Sequence, residues 1–238
     1  MPIRLGLGLQ VGSNRPLSSL TPGTATVTLD ASEEWTPASV PGANPLLPLI
    51  FRLYGNGGDG GLPEEGVGGG GGGGGAFVTG SRAVWTTGDS FAVTIGSPSV
   101  PGTSVVGNTP GVSDVSLLAG GGENASGIIA GLGSETYLTN GLTLTDTRAG
   151  GNGASVGGAV AGGGGASGST GGAGNAGSGD TGGTPAAADG GEGGYGGDGD
   201  IGGAGQAPGG GAGGTSDPGS GVSSGANGRV VILVPTLT

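Results

Sequence analysis

Residues 190–205 read GGEGGYGGDGDIGGAG, and this stretch shows most clearly the pattern that decides the fold. Glycine occupies every third position without a break, at 190, 193, 196, 199, 202 and 205. The same period runs through the glycines at 162, 165, 168, 171, 174 and 177. A period of three belongs to extended helices of the polyproline II shape, which rise about 3.1 Å per residue. Because a bare glycine face lets such helices approach and exchange backbone hydrogen bonds, the pattern predicts a bundle of polyglycine II helices.

Collagen and a flexible linker are the alternatives for this composition. Collagen needs strict Gly-X-Y triplets with proline at about 15–20%, whereas this chain has 15 prolines in 238 residues and many adjacent glycines. A Gly/Ser linker is the simpler alternative, because ordering a glycine costs about 1–2 kcal/mol of backbone entropy. Dense backbone hydrogen bonding is needed to offset that cost. If the chain is ordered, this requirement favours the polyglycine II bundle over the linker.

The charge of the chain argues against several classes of partner. The formal net charge is -11, His and Cys are absent, and the six basic residues are all Arg. We therefore expect no nucleic-acid binding, which depends on basic side chains that neutralise phosphates. No apolar run approaches the roughly 20 residues that span a bilayer, so we expect no membrane insertion. The first residues lack the length of a secretory signal, and we expect synthesis in a host cytoplasm without disulfides.

The same composition predicts no enzyme, no cofactor and no metal. Without His, Cys or Lys, no nucleophile and base can be paired for catalysis, and we identify no catalytic or cofactor-binding residue. Residues 193–201 approach the GGxGxDxUx repeat of calcium-binding β-rolls. The apolar position of that repeat falls on Asp200, and Ile201 comes one place late. Since the repeat is single and imperfect, Asp198 and Asp200 are interpreted as exposed solubilising charges, with a calcium site as the alternative.

Four regions follow from the composition along the chain. Residues 1–21 form an N-terminal arm in which Leu5, Leu7 and Leu9 alternate with glycine. This arm is either an edge strand of the chain's own sheet or an anchoring strand donated to another protein. Three further regions follow it. They are a β-sandwich with glycine-rich loops at 22–150, a polyglycine II bundle at 151–228 and a closing strand at 229–238.

Strand signals flank the glycine-rich segments. Residues 24–29 alternate in polarity, and residues 49–54 form a nearly continuous apolar run, as in a buried strand. Residues 91–96 and 229–235 give two further strands, and shorter β-like segments include 115–118, 128–129 and 142–144. No stretch has a helical period. The predicted fold class is therefore all-β, a small β-sandwich with an inserted polyglycine II bundle and essentially no α-helix.

This arrangement resembles the glycine-rich virion proteins of tailed bacteriophages. In both, a strand runs into a glycine block, short β segments interrupt further glycine blocks, and a Gly-Arg-Val-Val-Ile strand closes the chain. The stretches that carry the resemblance are residues 49–55, 68–75, 91–96, 119–122, the triplet runs and 225–232. The resemblance implies a structural or adhesive role in a tail fibre or tail tip, where loops between glycine helices touch the host surface.

The resemblance also implies partners, and the triplet run at 190–205 offers candidate contact residues. We expect a homotrimer within a virion that contacts other virion proteins and a host glycan or outer-membrane protein. Tyr195 takes a non-glycine position of a triplet run and is the first candidate for a surface contact, with Asp198 and Asp200 beside it. Since the segments between triplet runs are small and polar, a capsid decoration or head-fibre protein anchored by its arm is the alternative. An ice-binding or matrix protein is the third hypothesis.

Overall fold

The computed structural model describes residues 22–108 and 115–237, and it confirms the all-β prediction. Its ten strands form two antiparallel five-stranded sheets. The strands are β1 Pro22–Leu29, β2 Glu33–Trp35, β3 Leu49–Tyr54, β4 Phe77–Arg82, β5 Phe91–Thr94, β6 Thr103–Gly107, β7 Ser116–Ala119, β8 Tyr137–Asn140, β9 Thr143–Arg148 and β10 Arg229–Leu237. The one helical element among the described residues is a short 3₁₀ turn at Pro37–Ser39. Leu5, Leu7 and Leu9 lie outside the described residues.

The first sheet has the strand order β1-β10-β3-β4-β9. Strands β3 and β10 occupy its centre, as expected for the two most apolar strands of the chain. They pair antiparallel with Ile232 opposite Phe51, and both of these side chains are fully buried. Strand β1 pairs along its whole length with β10, so the last strand of the chain joins the first.

The second sheet has the strand order β2-β5-β6-β7-β8 and packs face to face on the first. Its strands β5, β6 and β7 alternate between buried and more exposed residues, the pattern of a sheet with one face in the core. Phe91, Val105 and Leu117 point inward and are completely buried. The sandwich core is therefore built from alternate residues of both sheets.

Three aromatic rings form the centre of this core. The ring centroids of Phe51 and Phe91 are 5.1 Å apart, and Trp35 meets Phe51 edge-on at 6.5 Å. Aromatic pairs in such geometries add about 0.5–1.5 kcal/mol beyond the burial of their surface. Trp35 and Trp85 are each 4% exposed, so both tryptophans of the chain belong to the core rather than to a contact surface.

All three long glycine-rich segments leave and re-enter the sandwich at the same end. Tyr54 pairs with both Phe77 and Arg229, so β3 ends where β4 and β10 begin. Segments 55–76, 120–136 and 149–228 connect strands at this end. At the opposite end of the first sheet, Pro22 pairs with Leu237. We call this opposite end the sandwich pole.

One expected strand has a different structure. Residues 128–129 are apolar, but they lie in a turn closed by reciprocal hydrogen bonds between Ser126 and Ile129. The side chain of Ile129 is 66% exposed, because this turn lies outside the sandwich, where no sheet covers it. Apolar character alone therefore did not identify a strand here.

Candidate functional site

A run at residues 68–76, all glycine except Ala76, occupies the centre of the glycine-rich region. Its backbone N–H groups donate in rotation to three neighbouring segments, with a period of three residues. The donors 68, 71 and 74 reach carbonyls 158, 154 and 151; the donors 69, 72 and 75 reach 215, 212 and 209; the donors 70, 73 and 76 reach 127, 123 and 120. Because acceptor numbers fall as donor numbers rise, all three neighbours run antiparallel to the central run.

The carbonyl groups of the central run accept hydrogen bonds from three other segments. The donors are residues 162, 165 and 168 on one segment, 55, 58 and 61 on a second, and 131 and 134 on a third. The central run is therefore surrounded by six segments and bonded to all of them. The period of three is the one that the sequence shows, while the polyglycine II conformation of each segment stays a prediction.

Close approach of neighbouring backbones excludes side chains from this centre. A Cβ atom added at Gly71 would overlap the carbonyl oxygen of Gly163, and one added at Gly72 would overlap that of Gly58. By contrast, a Cβ atom at Gly157, near the edge of the region, meets nothing within 4 Å. Glycine is thus required sterically at the centre, and the lattice of backbone hydrogen bonds holds the segments together in place of an apolar core.

The stretch at 190–205 has one face turned toward this lattice and one toward solvent. The N–H groups of residues 191, 194 and 197 donate to residues 208, 211 and 214. Residues 192, 195 and 198 occupy the outer row and are exposed. Tyr195 is 64% exposed, and its ring lies against the backbone of Gly203. The structure therefore places Tyr195 and Asp198 on the same outward-facing row.

The turns farthest from the sandwich gather into one surface. We define the distal turns as residues 64–67, 126–129, 178–181, 198–201 and 217–220. Gly70, which follows the first turn, donates to Gly127 in the second, and Ser216 donates to Asp200 across two others. Two further backbone hydrogen bonds place the remaining turns at this end. The N–H of Gly69 donates to Thr215, close to the turn at 217–220, and the N–H of Gly196 donates to Asp180 in the turn at 178–181. Positions far apart in sequence therefore meet at the end opposite the sandwich pole.

Acidic and apolar side chains share the surface of the distal turns. Asp198 and Asp200 are exposed there, together with Ile129 and with Ile201, which is 44% exposed. Such a surface offers carboxylate acceptors and apolar contacts, and it suits a partner that presents hydroxyl or amino donors. Within residues 22–108 and 115–237, no group of three or more His, Cys, Asp or Glu side chains is arranged to hold a metal ion.

A buried asparagine joins the sandwich to the glycine region. The side chain of Asn56 is completely buried, and its Oδ1 accepts a hydrogen bond of 2.8 Å from the N–H of Gly102. Its Nδ2 donates to the carbonyl of Gly57 at 3.0 Å, and its own carbonyl accepts from Gly122. Because buried polar groups are costly when unpaired, this set of bonds fixes the position where β3 leads into the first glycine segment.

A second junction links Tyr54 at the end of β3 to Asp189 in the glycine region. The hydroxyl of Tyr54 donates to Oδ2 of Asp189 at 2.6 Å. Burial, followed by this hydrogen bond, raises the pKa of Tyr54. Burial also acts to raise the pKa of Asp189, but hydrogen bonds from Tyr54 and Thr170 outweigh it and lower that pKa below its usual value. The fold therefore favours the neutral phenol and the ionised carboxylate.

Comparison of the sequence with known proteins gives no match. The chain matches no protein-family model, and no curated protein matches its sequence. In the part of the chain that the structure describes, no helix has the length and apolar character needed to cross a membrane.

Proposed function

We propose that this protein is a structural or adhesive subunit of a tailed-phage virion, placed in a tail fibre or tail tip. In this proposal the glycine segments form a polyglycine II bundle that displays the distal turns toward a host surface. The single observation that carries the proposal is the central run at 68–76, bonded to six neighbouring segments. A lattice of this kind is a rigid platform, because each segment is held from several sides.

The polarity of the molecule supports display at one end and attachment at the other. Pro22 and Leu237 pair at the sandwich pole, whereas the distal turns lie at the far end of the glycine region. A subunit attached through its sandwich would present Tyr195, Asp198 and Asp200 outward. Repeated copies, such as a trimer, would add the avidity that weak surface contacts need.

We call the end of the glycine region that carries the distal turns the display end. Its chemistry favours a polar, hydroxyl-rich surface as the binding target. An exposed aromatic ring beside carboxylates can stack on the apolar face of a sugar while the carboxylates accept hydrogen bonds from its hydroxyls. Tyr195 and Asp198 share one outward row, which suits this kind of contact. A host glycan is therefore the first partner to test, and an outer-membrane protein is the second.

Localisation on intact particles tests the virion role and separates it from the alternatives. Virions are labelled with gold-conjugated antibody against this chain and imaged by cryo-electron microscopy. Label at the tail end supports the fibre or tip proposal. Label over the head replaces it with capsid decoration, and absence from purified particles rejects both and returns attention to the matrix or ice-binding hypothesis.

A substitution pair tests adhesion at the display end. We expect Tyr195→Ala to weaken binding to host-surface material about tenfold, since loss of one stacking ring removes about 1–2 kcal/mol. The matched control is Val84→Ala, which truncates a residue that is 80% exposed in the loop between β4 and β5, on the sandwich side of the molecule. Equal binding of the two variants would remove Tyr195 from the contact surface.

A further inference from the structure

The outer edge of β1 differs from the other sheet edges. Strand β1 lies at the end of the first sheet, and no strand among the described residues pairs with its outer side. It is 8 residues long and carries no charged side chain. About half of the backbone groups of an edge strand face outward, so an open edge of this length is a template for another strand.

The three other edges carry features that discourage strand addition. Strands β2 and β8 have only 3 and 4 residues, and β2 carries two glutamates. Strand β9 carries Asp146 and Arg148, which form an ion pair at 3.0 Å, and its register with β4 shifts between Thr79 and Gly80. Short length, charge and irregular pairing each protect an edge. Strand β1 has none of these features.

The inner face of β1 is also incompletely covered. Leu29 belongs to the core at 8% exposed, whereas Ala25 and Val27 pack against the core but are only partly buried. The opposite edge strand, β2, is too short to cover them. A strand added beside β1 would complete this part of the core if it carried large apolar side chains on its inner face.

We propose that the outer edge of β1 receives residues 5–11 of a second copy of this chain as an added antiparallel strand. In the register that places Leu7 opposite Val27, Leu5 faces Leu29 and Leu9 faces Ala25. Directly opposite residues of an antiparallel pair lie on the same face, so all three leucines extend the inner apolar face. The intervening glycines fall on the outer face.

The length of the connection favours a second copy over the same chain. In this register, a fold-back within one chain would need residues 12–21 as its loop, whereas hairpin loops usually have about 2–5 residues. Residues 12–21 can span up to about 33 Å when extended, which allows the strand to reach a neighbour. Exchange of this strand among copies closes a symmetric assembly, and this inference does not depend on the virion role.

Engineered cysteines test the exchange directly, because the natural chain has none. Leu7→Cys and Val27→Cys chains, distinguished by tag length, are coexpressed and oxidised mildly. We expect a disulfide-linked heterodimer in at least tenfold greater yield than with Gly8→Cys and Val27→Cys, where the two side chains face opposite sides. Equal yields would overturn the proposed register and strand.

The double variant Leu7→Cys/Val27→Cys and a mass measurement separate exchange from fold-back. Exchange predicts a covalent dimer or ladder of the double variant, and a cross-link confined to single chains would overturn it. By light scattering, the natural chain should have a molar mass that corresponds to two or more copies of 21.6 kDa. Leu7→Asp should reduce this mass to that of one copy. An unchanged mass in a Leu7→Asp variant with native melting behaviour would also reject the proposal.

Discussion

Adding one methyl group at Gly71 should destabilise the glycine lattice, whereas adding it at Gly157 should not. The N–H of Gly71 donates to Ala154 at 2.9 Å, and its carbonyl accepts from Gly131 at 2.9 Å. A Cβ atom at Gly71 would overlap the carbonyl of Gly163, so the segment has to move and weaken both bonds. Gly157 has open space and no left-handed backbone, which makes it the matched control.

The expected magnitude follows from three contributions. Overpacking costs about 1–3 kcal/mol. Weakening two hydrogen bonds adds about 0.5–1.5 kcal/mol for each. Replacing glycine by alanine returns about 0.4–1 kcal/mol, because the unfolded chain loses entropy. For Gly71→Ala, these contributions add up to a net loss of about 1–6 kcal/mol in the free energy of unfolding, centred near about 3 kcal/mol, for which the Tm should fall by about 6–12 °C in a chain of this size.

Differential scanning calorimetry of the natural chain, Gly71→Ala and Gly157→Ala measures this difference. Gly157→Ala should leave the Tm unchanged or raise it slightly, since only the entropy term applies. If Gly71→Ala melts within about 2 °C of Gly157→Ala, residues 68–76 are not enclosed by six bonded neighbours. That result would refute the lattice argument itself, because the two substitutions differ only in their surroundings.

Three further outcomes are expected at the junctions. Asn56→Ala should lower the free energy of unfolding by about 1–3 kcal/mol in urea titrations, because it strands the buried N–H of Gly102; an unchanged midpoint contradicts this role. The fold lowers the pKa of Asp189, so the ionised carboxylate stabilises the folded state fully above about pH 4, and this stabilisation is lost as the pH falls through the pKa of the folded state. Asp189→Asn should therefore flatten the acid limb of the curve of stability against pH. The raised pKa of Tyr54 gives stability below about pH 10 that is lost at higher pH, so Tyr54→Phe should flatten the alkaline limb of the same curve. A variant whose stability curve runs parallel to that of the natural chain would contradict the corresponding assignment.

The sandwich could be predicted largely from local patterns. Strands β3 and β10 are continuous apolar runs, and β5 alternates, so their burial follows from side chains that lie close together in sequence. Ile129 shows the limit of this reasoning, because an apolar pair in a turn has the same local composition as a short strand. The sequence carries no signal that distinguishes the two.

The centre of the glycine region could not be predicted from triplets alone. The unbroken glycines at 68–75 lack a visible period of three, since every position is glycine. At residues 68–75 a Cβ atom would overlap a neighbouring backbone at every position, so none of them tolerates a side chain, whereas the triplets at 190–205 belong to a segment with an exposed row. Asn56 and Asp189 were missed as well, because their partners lie far away in sequence and only the fold brings them together.

The gathering of the distal turns at one end has a consequence for how this protein can change. Residues 64–67, 126–129 and 217–220 are far apart along the chain, but they contribute to one surface. The lattice bonds that reach these turns end on backbone carbonyls, such as those of Gly127 and Asp180, so exposed side chains of the turns can be replaced without removing a bond. Natural variants should therefore show short islands of diversity separated by constant glycines, and exchanging islands between variants should recombine recognition properties on an unchanged frame.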